Sequence, residues 1–312
     1  MKKIIAILIA VMSGFPMSRI LFAGGEGTSS GVFLTLPSAP SMAALGGPGA
    51  AAPGGPSVLY DNPAGLAAIK NIASELSHSA WLGGLNYDVF SVAVPFKSGD
   101  TVALGVRYME YGIIDALDNT GNDAGHIVPR DMIVSAGYAR AFANGLSAGL
   151  AGKYIDSKIT MSASAFALDG GVRYRRDKLI LGAAIINLGG KLRYAHEAYP
   201  LPLTYNLGAS YRINPAWTLF SEMDIPRAGL SRAGCGAERS FQFGGDSAFT
   251  VRAGYANRYS RTGGVNGLSG GLGLALKTFT FDYAFNAIGE LGVAHHFGIG
   301  LRWGAPISVA GE

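Results

Sequence analysis

The sequence predicts an all-β fold, a transmembrane antiparallel up-and-down β-barrel of about 14 strands, on three observations. Apolar and polar residues alternate with period two along segment after segment, as they do when successive side chains point to opposite faces of a strand. Every second connection is tight-turn chemistry, while the alternate connections are generally longer. The composition is 49% hydrophobic but only 15% charged, and it contains 46 glycines. That is apolar for an exported soluble protein, and the glycines suit curved strands with small residues on a crowded face. A Greek-key sandwich would alternate too, but nothing in it requires short and long connections to alternate.

The first residues read as an export signal over 1–23. Lys2 and Lys3 precede the apolar run Ile4–Met12, and Ala23 offers a small residue for cleavage. That run is too short to cross a bilayer as a helix, and Gly, Ser and charged residues interrupt every later apolar run.

Residues 24–70 differ from everything that follows. They are rich in Gly, Ala, Pro and Ser, with almost no charge before Asp61. A segment with so few large side chains cannot build its own core. It reads either as a flexible linker or as a plug folded inside a larger structure, where small residues allow close packing.

The barrel is expected over 71–303, followed by a tail over 304–312. Its strands run roughly Asn71–Trp81, Tyr87–Lys97, Thr101–Tyr111, Asp131–Phe142, Leu146–Ser157, Ser164–Arg175, Leu179–Leu188 and Leu203–Ile213. Trp217–Ile225, Arg239–Gly244, Phe249–Arg258, Leu268–Lys277, Thr278–Phe285 and Leu291–Trp303 complete the set. The last two form the clearest hairpin. Phe279, Phe281, Tyr283 and Phe285 alternate with Thr280, Asp282 and Ala284. Val293, Phe297, Ile299, Leu301 and Trp303 then oppose Ala294, His296, Gly298, Gly300 and Arg302. The tight turns fall at Ser98–Asp100, Ala143–Gly145, Arg176–Lys178 and Asn214–Ala216. The long connections are Gly112–Arg130, Gly189–Pro202, Pro226–Glu238 and Tyr259–Gly267.

Charge follows the same periodicity. Arg107, Lys153, Asp169, Arg173, Arg212, Glu222, Asp224, Arg252, Asp282 and Arg302 fall opposite the dominant apolar face. An Arg or Lys facing lipid near the midplane costs about 2–4 kcal/mol, so these residues are assigned to the lumen. There, opposite charges satisfy one another, and this pairing outranks substrate selection as their role. Trp81, Trp217 and Trp303 lie at strand ends, where an interfacial aromatic belt would place them.

Several functions are disfavoured. The net charge of +4 comes without a basic cluster interleaved with aromatics, so no nucleic-acid partner is expected. Cys235 is the single cysteine, which leaves no disulfide framework and no thiolate metal site. His295 and His296 are adjacent and point to opposite faces, and His78, His126 and His196 show no zinc spacing, so no metal or other cofactor is expected. No serine is marked out as a nucleophile near His296, and no enzymatic activity is expected.

Phe33-Leu34, Leu45-Gly46-Gly47 and Leu59-Tyr60-Asp61-Asn62-Pro63-Ala64-Gly65-Leu66 resemble the N-terminal signature of the PorV/PorQ outer-membrane proteins. Lys153-Tyr154-Ile155, Asn187-Leu188-Gly189-Gly190 with Pro200-Leu201-Pro202-Leu203, and Gly289-Glu290-Leu291-Gly292 with His295 resemble later family blocks, in order. That family is similar in turn to the FadL-type fatty-acid channels, whose fourteen-stranded barrels carry an N-terminal hatch with an Asn-Pro-Ala motif. The resemblance implies that residues 24–70 are a lumen hatch, with Asn62, Pro63, Ala64 and Gly65 as its motif. Three departures stand out: Ser41 where the family has Arg, Gly54 and Gly55 where it has an acidic pair, and a chain that continues past Trp303.

The resemblance also places the protein in the outer membrane of a Gram-negative-type bacterium. Its implied partners are outer-membrane lipid, the barrel-assembly machinery, and either a hydrophobic ligand or a secreted cargo protein. Two functions follow. The first is passive transport of hydrophobic small molecules, with Ile113, Ile114, Leu117 and Ile127 as a capture surface. The second is binding and shuttling of cargo in type IX secretion.

Overall fold

The computed structural model describes residues 29–47, 49–52, 54–195, 197–259, 263–304 and 306. The expected export signal and most of the expected tail lie outside them. Fourteen strands form one closed antiparallel barrel. In chain order they are β1 (Ile72–Ala80), β2 (Asn86–Pro95), β3 (Asp100–Glu110), β4 (Arg130–Ala141), β5 (Leu146–Lys158), β6 (Ser162–Arg176) and β7 (Leu179–Gly189). The set continues with β8 (Thr204–Asn214), β9 (Trp217–Pro226), β10 (Arg232–Phe243), β11 (Ser247–Ala256), β12 (Asn266–Ala275), β13 (Phe279–Ile288) and β14 (Val293–Trp303). Each strand pairs with its sequence neighbours, and β1 closes the ring on β14 from Ile72↔Trp303 to Ala80↔His295. Closure leaves no edge strand with unpaired backbone groups.

No helix among the described residues is long and apolar enough to cross a membrane, and the strands are built to do so instead. Their lengths run from 9 residues in β1 to 15 in β6. Their outward faces expose large apolar side chains all round: Leu104, Leu150, Phe166 and Leu168 are each at least 60% exposed, and Leu207, Leu272, Phe285, Phe297 and Ile299 continue the band. A continuous apolar surface of this extent belongs in lipid.

The hydrophobic core lies inside the barrel. Phe33, Leu34, Met42, Leu45, Val58, Leu59, Tyr60 and Leu66 from the N-terminal segment pack on inward residues such as Tyr87, Val89, Ile133 and Ile155. The segment makes only short helical pieces: α1 (Pro40–Ala44) and 3-10 turns at Val32–Thr35, Pro56–Tyr60 and Pro63–Ala68.

Three expectations need correction. The tenth strand, expected at Arg239–Gly244, runs over Arg232–Phe243, so the expected long connection Pro226–Glu238 is mostly strand. Its first half hides from periodicity because its inward positions include Gly234 and Gly236, which lie against the backbone of Leu45 and Gly46. Two of the long connections carry small hairpins of their own, Ile114–Leu117 with Asp123–Ile127 and Lys191–Tyr194 with Glu197–Pro200. Trp81 does not join an outward belt. The odd positions of β1 face inward, and the Trp81 ring meets His296 edge-on at 5.7 Å. Trp217 and Trp303 do face out, at the short-turn end. Finally, Arg212 and Arg302 have the inward parity but are exposed at strand ends and form no ion pair among the described residues, although Arg302 borders the cavity at the short-turn end.

The two faces of β14 make a direct test. Ile299→Arg puts a charge into the outward apolar band and should cost about 2–4 kcal/mol, reducing the yield of the folded, heat-modifiable species on gels. Arg302→Leu, at the exposed strand end, should assemble like the wild type. Equal assembly of Ile299→Arg and wild type would mean that the apolar band does not face lipid.

Candidate functional site

The N-terminal segment lies inside the barrel, and a segment in that position must satisfy its backbone polar groups without a secondary-structure ladder of its own. Inward side chains do this from many strands. Arg173 on β6 is buried and donates from Nε to the Ala50 carbonyl at 2.9 Å and from Nη2 to those of Gly49 at 3.0 Å and Ala52 at 2.8 Å. Glu222 on β9 accepts the Ala50 N–H at 3.1 and 3.2 Å, and Ser210 on β8 donates to the Ala51 carbonyl at 3.1 Å. Residues 49–52 are thus gripped from both polarities. Arg107 on β3 donates to the Leu34 carbonyl at 3.2 Å and stacks its guanidinium 4.0 Å from the centre of the Tyr60 ring. Tyr60 in turn donates to the Phe90 carbonyl at 3.1 Å.

Asn62, Pro63, Ala64 and Gly65 form the entry to a 3-10 turn. The Asn62 Oδ1 caps the turn by accepting the Ala64 N–H at 3.1 Å. Its Nδ2 donates to the Ala50 carbonyl at 2.8 Å and reaches the strand carbonyls of Val172 at 3.2 Å and Ala183 at 3.4 Å. One side chain therefore ties the turn to the 49–52 loop and to the wall between β6 and β7. The wall there is bare backbone. A Cβ at Gly149 would collide with Pro63, and one at Gly171 with the Asn62 amide. Asp61, beside the motif, bonds Ser38.

The other charges assigned to the lumen divide into groups. Lys153 and Asp169 form a fully buried ion pair at 2.6 Å. Asp169 also accepts the Asn187 N–H at 2.7 Å, and Lys153 donates to the Asn187 Oδ1 at 3.0 Å. Asn187 is held at φ 59°, where the β7 register shifts against β6. These three side chains fasten a bulge in the wall, with the pairing and hydrogen bonding that a buried charge requires. Arg252 joins Glu238 at 2.7 Å and Asp282 at 2.5 Å. Asp224 pairs with Arg258 at 3.1 Å, and Arg258 also reaches the Thr35 carbonyl. Arg212 and Arg302 join none of these groups.

Arg258, Glu238, Ser79 and Asn286 were missed as functional residues by the sequence. Arg258 lies just past the end of β11, and Glu238, inside β10, adjoins the expected start of the tenth strand, so parity was hard to read for both. Ser79, His296 and Asn286 come from three adjacent strands. The Ser79 Oγ lies 2.7 Å from His296 Nδ1, and His296 Nε2 lies 2.8 Å from the Asn286 Oδ1. Asn286 Nδ2 donates to the Ala43 carbonyl at 2.9 Å. Ser79 and His296 are each only 2% exposed, and the chain of bonds holds α1 against the wall. The Glu75 carboxylate of β1 occupies the space where a side chain at Gly55 would project.

Two cavities flank the segment. One, of about 60 Å³ at the long-loop end, is lined by Leu34, Asp61, Asn206, Glu222, Asp224 and Arg258. The other, of about 270 Å³ toward the short-turn end, is lined by Leu45, Glu75, Glu238, Arg252, Asp282 and Arg302. The described residues contain no group of three or more metal-ligating side chains.

Arg173→Met should release the 49–52 loop, because each charge-assisted bond contributes about 1.5–3 kcal/mol and three buried carbonyls lose their donor. We expect an intact barrel whose N-terminal segment is cut by protease at least tenfold faster. Arg173→Lys should fall between, as a point donor cannot serve three carbonyls at once. Wild-type cleavage rates in Arg173→Met would show that Arg173 is not a principal anchor.

No protein-family model matches the chain, and no curated protein matches it. Solved structures do share its fold. The toluene transporter TbuX of Ralstonia pickettii aligns over 86% of this chain and 99% of its own, at 14% identity and a TM-score of 0.58. The toluene transporter TodX of Pseudomonas putida aligns over 85% and 96%, at 12% identity and a TM-score of 0.56. A FadL homologue of Pseudomonas aeruginosa aligns over 85% and 98%, at 10% identity and a TM-score of 0.52. At these identities the likeness establishes a shared architecture, the closed fourteen-stranded barrel.

Proposed function

We propose that the protein is an outer-membrane channel for passive entry of hydrophobic small molecules, with residues 24–70 as the hatch that keeps it closed at rest. The observation that carries this reading is the anchoring of the N-terminal segment inside a closed barrel, by the wall side chains Arg173 and Glu222 and by the segment's own Asn62, which reaches the strand carbonyls of Val172 and Ala183. The short hairpin turns then face the periplasm and the long loops the exterior. The shared fold supports the reading, since two of the similar structures are toluene transporters. Ile113, Ile114 and Leu117 stand exposed on the long-loop hairpin, where an apolar solute would first be met. The cavities beside the segment are small, so passage requires the hatch to shift. Its attachment through hydrogen bonds and ion pairs, rather than covalent links, makes such a shift possible.

A second reading is a PorV/PorQ-type component that binds and shuttles cargo proteins in type IX secretion. It is favoured by the same exposed apolar hairpin, which could meet a protein as well as a small molecule. Loss of a cargo protein from the cell surface on deletion of the gene, with unchanged solute uptake, would select it.

Removal of residues 38–55 should leave a heat-modifiable barrel and raise single-channel conductance in planar bilayers several-fold, with faster uptake of toluene into proteoliposomes. Asn62→Ala should act in the same direction but more weakly. An unchanged conductance after the deletion would defeat the hatch assignment.

A further inference from the structure

A hollow of about 620 Å³ lies outside the barrel, in the wall that faces lipid, and crosses β4 to β8. Its floor is made by outward positions that are small on three neighbouring strands, Ala148, Gly170 and Ala183. They are brought together by the pairings Ala148↔Val172, Leu150↔Gly170 and Val172↔Ala183. Tyr138, Leu150, Ile185 and Leu207 rise around it. The cleft has almost no polar lining, so in a bilayer it must be filled by hydrocarbon, since an empty cleft forfeits dispersion contacts.

Charge distinguishes one end of the hollow from the other. At the short-turn margin Arg140 contributes to the lining, its side chain 53% exposed and its guanidinium 3.7 Å from Asp100. Asp100 is already engaged by Ser98 at 2.6 Å and by Tyr138 at 2.5 Å, which leaves Arg140 only loosely held. Arg176 ends β6 two residues beyond Tyr174, on the same outward face and also exposed. One strand, β5, lies between them, and the register Arg140↔Ala148↔Val172 sets Arg176 four residues further toward the short-turn end. That places it about 16 Å from Arg140 between backbones, within the combined reach of two arginine side chains and a phosphate. An apolar cleft with two cations at one end matches one class of molecule present in every such membrane: a glycerophospholipid, with an acyl chain in the cleft and a phosphate at its margin.

We propose that this hollow is a specific binding site for a phospholipid of the leaflet on the short-turn side, with one acyl chain lying over Gly170 and the phosphate held between Arg140 and Arg176. The assignment rests on the barrel being embedded in a bilayer and not on what it transports. The hollow backs directly onto the motif turn. Gly149 and Gly171 separate it from Asn62 and Pro63 by one layer of backbone. A lipid seated there supports the thin part of the wall from outside as the N-terminal segment does from within.

The test uses the full-length barrel, delipidated in detergent, with dioleoyl phosphatidylglycerol as probe and native mass spectrometry as readout. One lipid per barrel should survive at detergent concentrations that strip the rest. Gly170→Phe fills the cleft, and it should fold normally because a Cβ there meets only the Leu150 side chain, at 3.4 Å. It should lower lipid occupancy at least tenfold, whereas Leu268→Phe on the far wall should leave it unchanged. Arg140→Gln with Arg176→Gln should weaken phosphatidylglycerol retention at least threefold. Absence of a retained lipid, or equal retention by Gly170→Phe and Leu268→Phe, would overturn the proposal. So would toluene occupying the same site in place of lipid, or a wild-type dimer that Gly170→Phe converts to monomer without changing lipid retention.

Discussion

Everything inside this barrel depends on one constraint: a Gly/Ala/Pro-rich segment buried at membrane depth must have its backbone N–H and C=O groups paired. The segment builds almost no ladder for the purpose. Its longest regular piece is a 3-10 turn of 6 residues. The partners therefore come from the wall and from the segment's own Asn62, through charged and amide side chains that serve more than one group each. Arg173 serves three carbonyls, and Asn62 serves one N–H and three carbonyls. Removing either side chain would leave several buried groups unpaired at once.

The same constraint accounts for the glycines. Inward positions on the strands beneath the segment cannot carry a side chain, because the backbone of Leu45, Gly46, Ala50, Pro63 and Ala64 and the Asn62 amide already occupy that space over Gly149, Gly171, Gly182, Gly236 and Gly254. Barrel and segment thus share one close-packed interior, with the inner wall as its outer half. Charges that do not bind the segment neutralise one another instead. Lys153 with Asp169 fastens the β7 bulge, and Arg252 bridges two carboxylates. The arrangement leaves the outward surface free to be apolar, except at the short-turn margin where arginines stand near the headgroups.

Period two made most of the barrel legible, because lipid on one side and protein on the other impose opposite chemistry on alternate residues. It failed in particular places for particular reasons. In the first half of β10 the inward glycines and the outward Ala233 and Cys235 are all small, so alternation vanishes although the strand is paired on both sides. Arg212 and Arg302 have inward parity, yet the strands end there and their side chains emerge into the open. For Trp81, position at a strand end suggested a belt while parity pointed inward, and parity was the better guide.

What the amino-acid sequence determined by itself was the kind of environment each strand residue requires, hence the all-β class, the strand number and the two faces. Those follow from local periodicity and turn chemistry, which do not depend on what lies far away in the chain. Which groups meet across the lumen was decided only by tertiary structure. Arg173 and Ala50 are 123 residues apart, and Ser79 and His296 are 217 apart. Nothing local encodes such pairings; they arise because closure of β1 on β14 and insertion of the N-terminal segment force buried polar groups to find partners within a few ångströms.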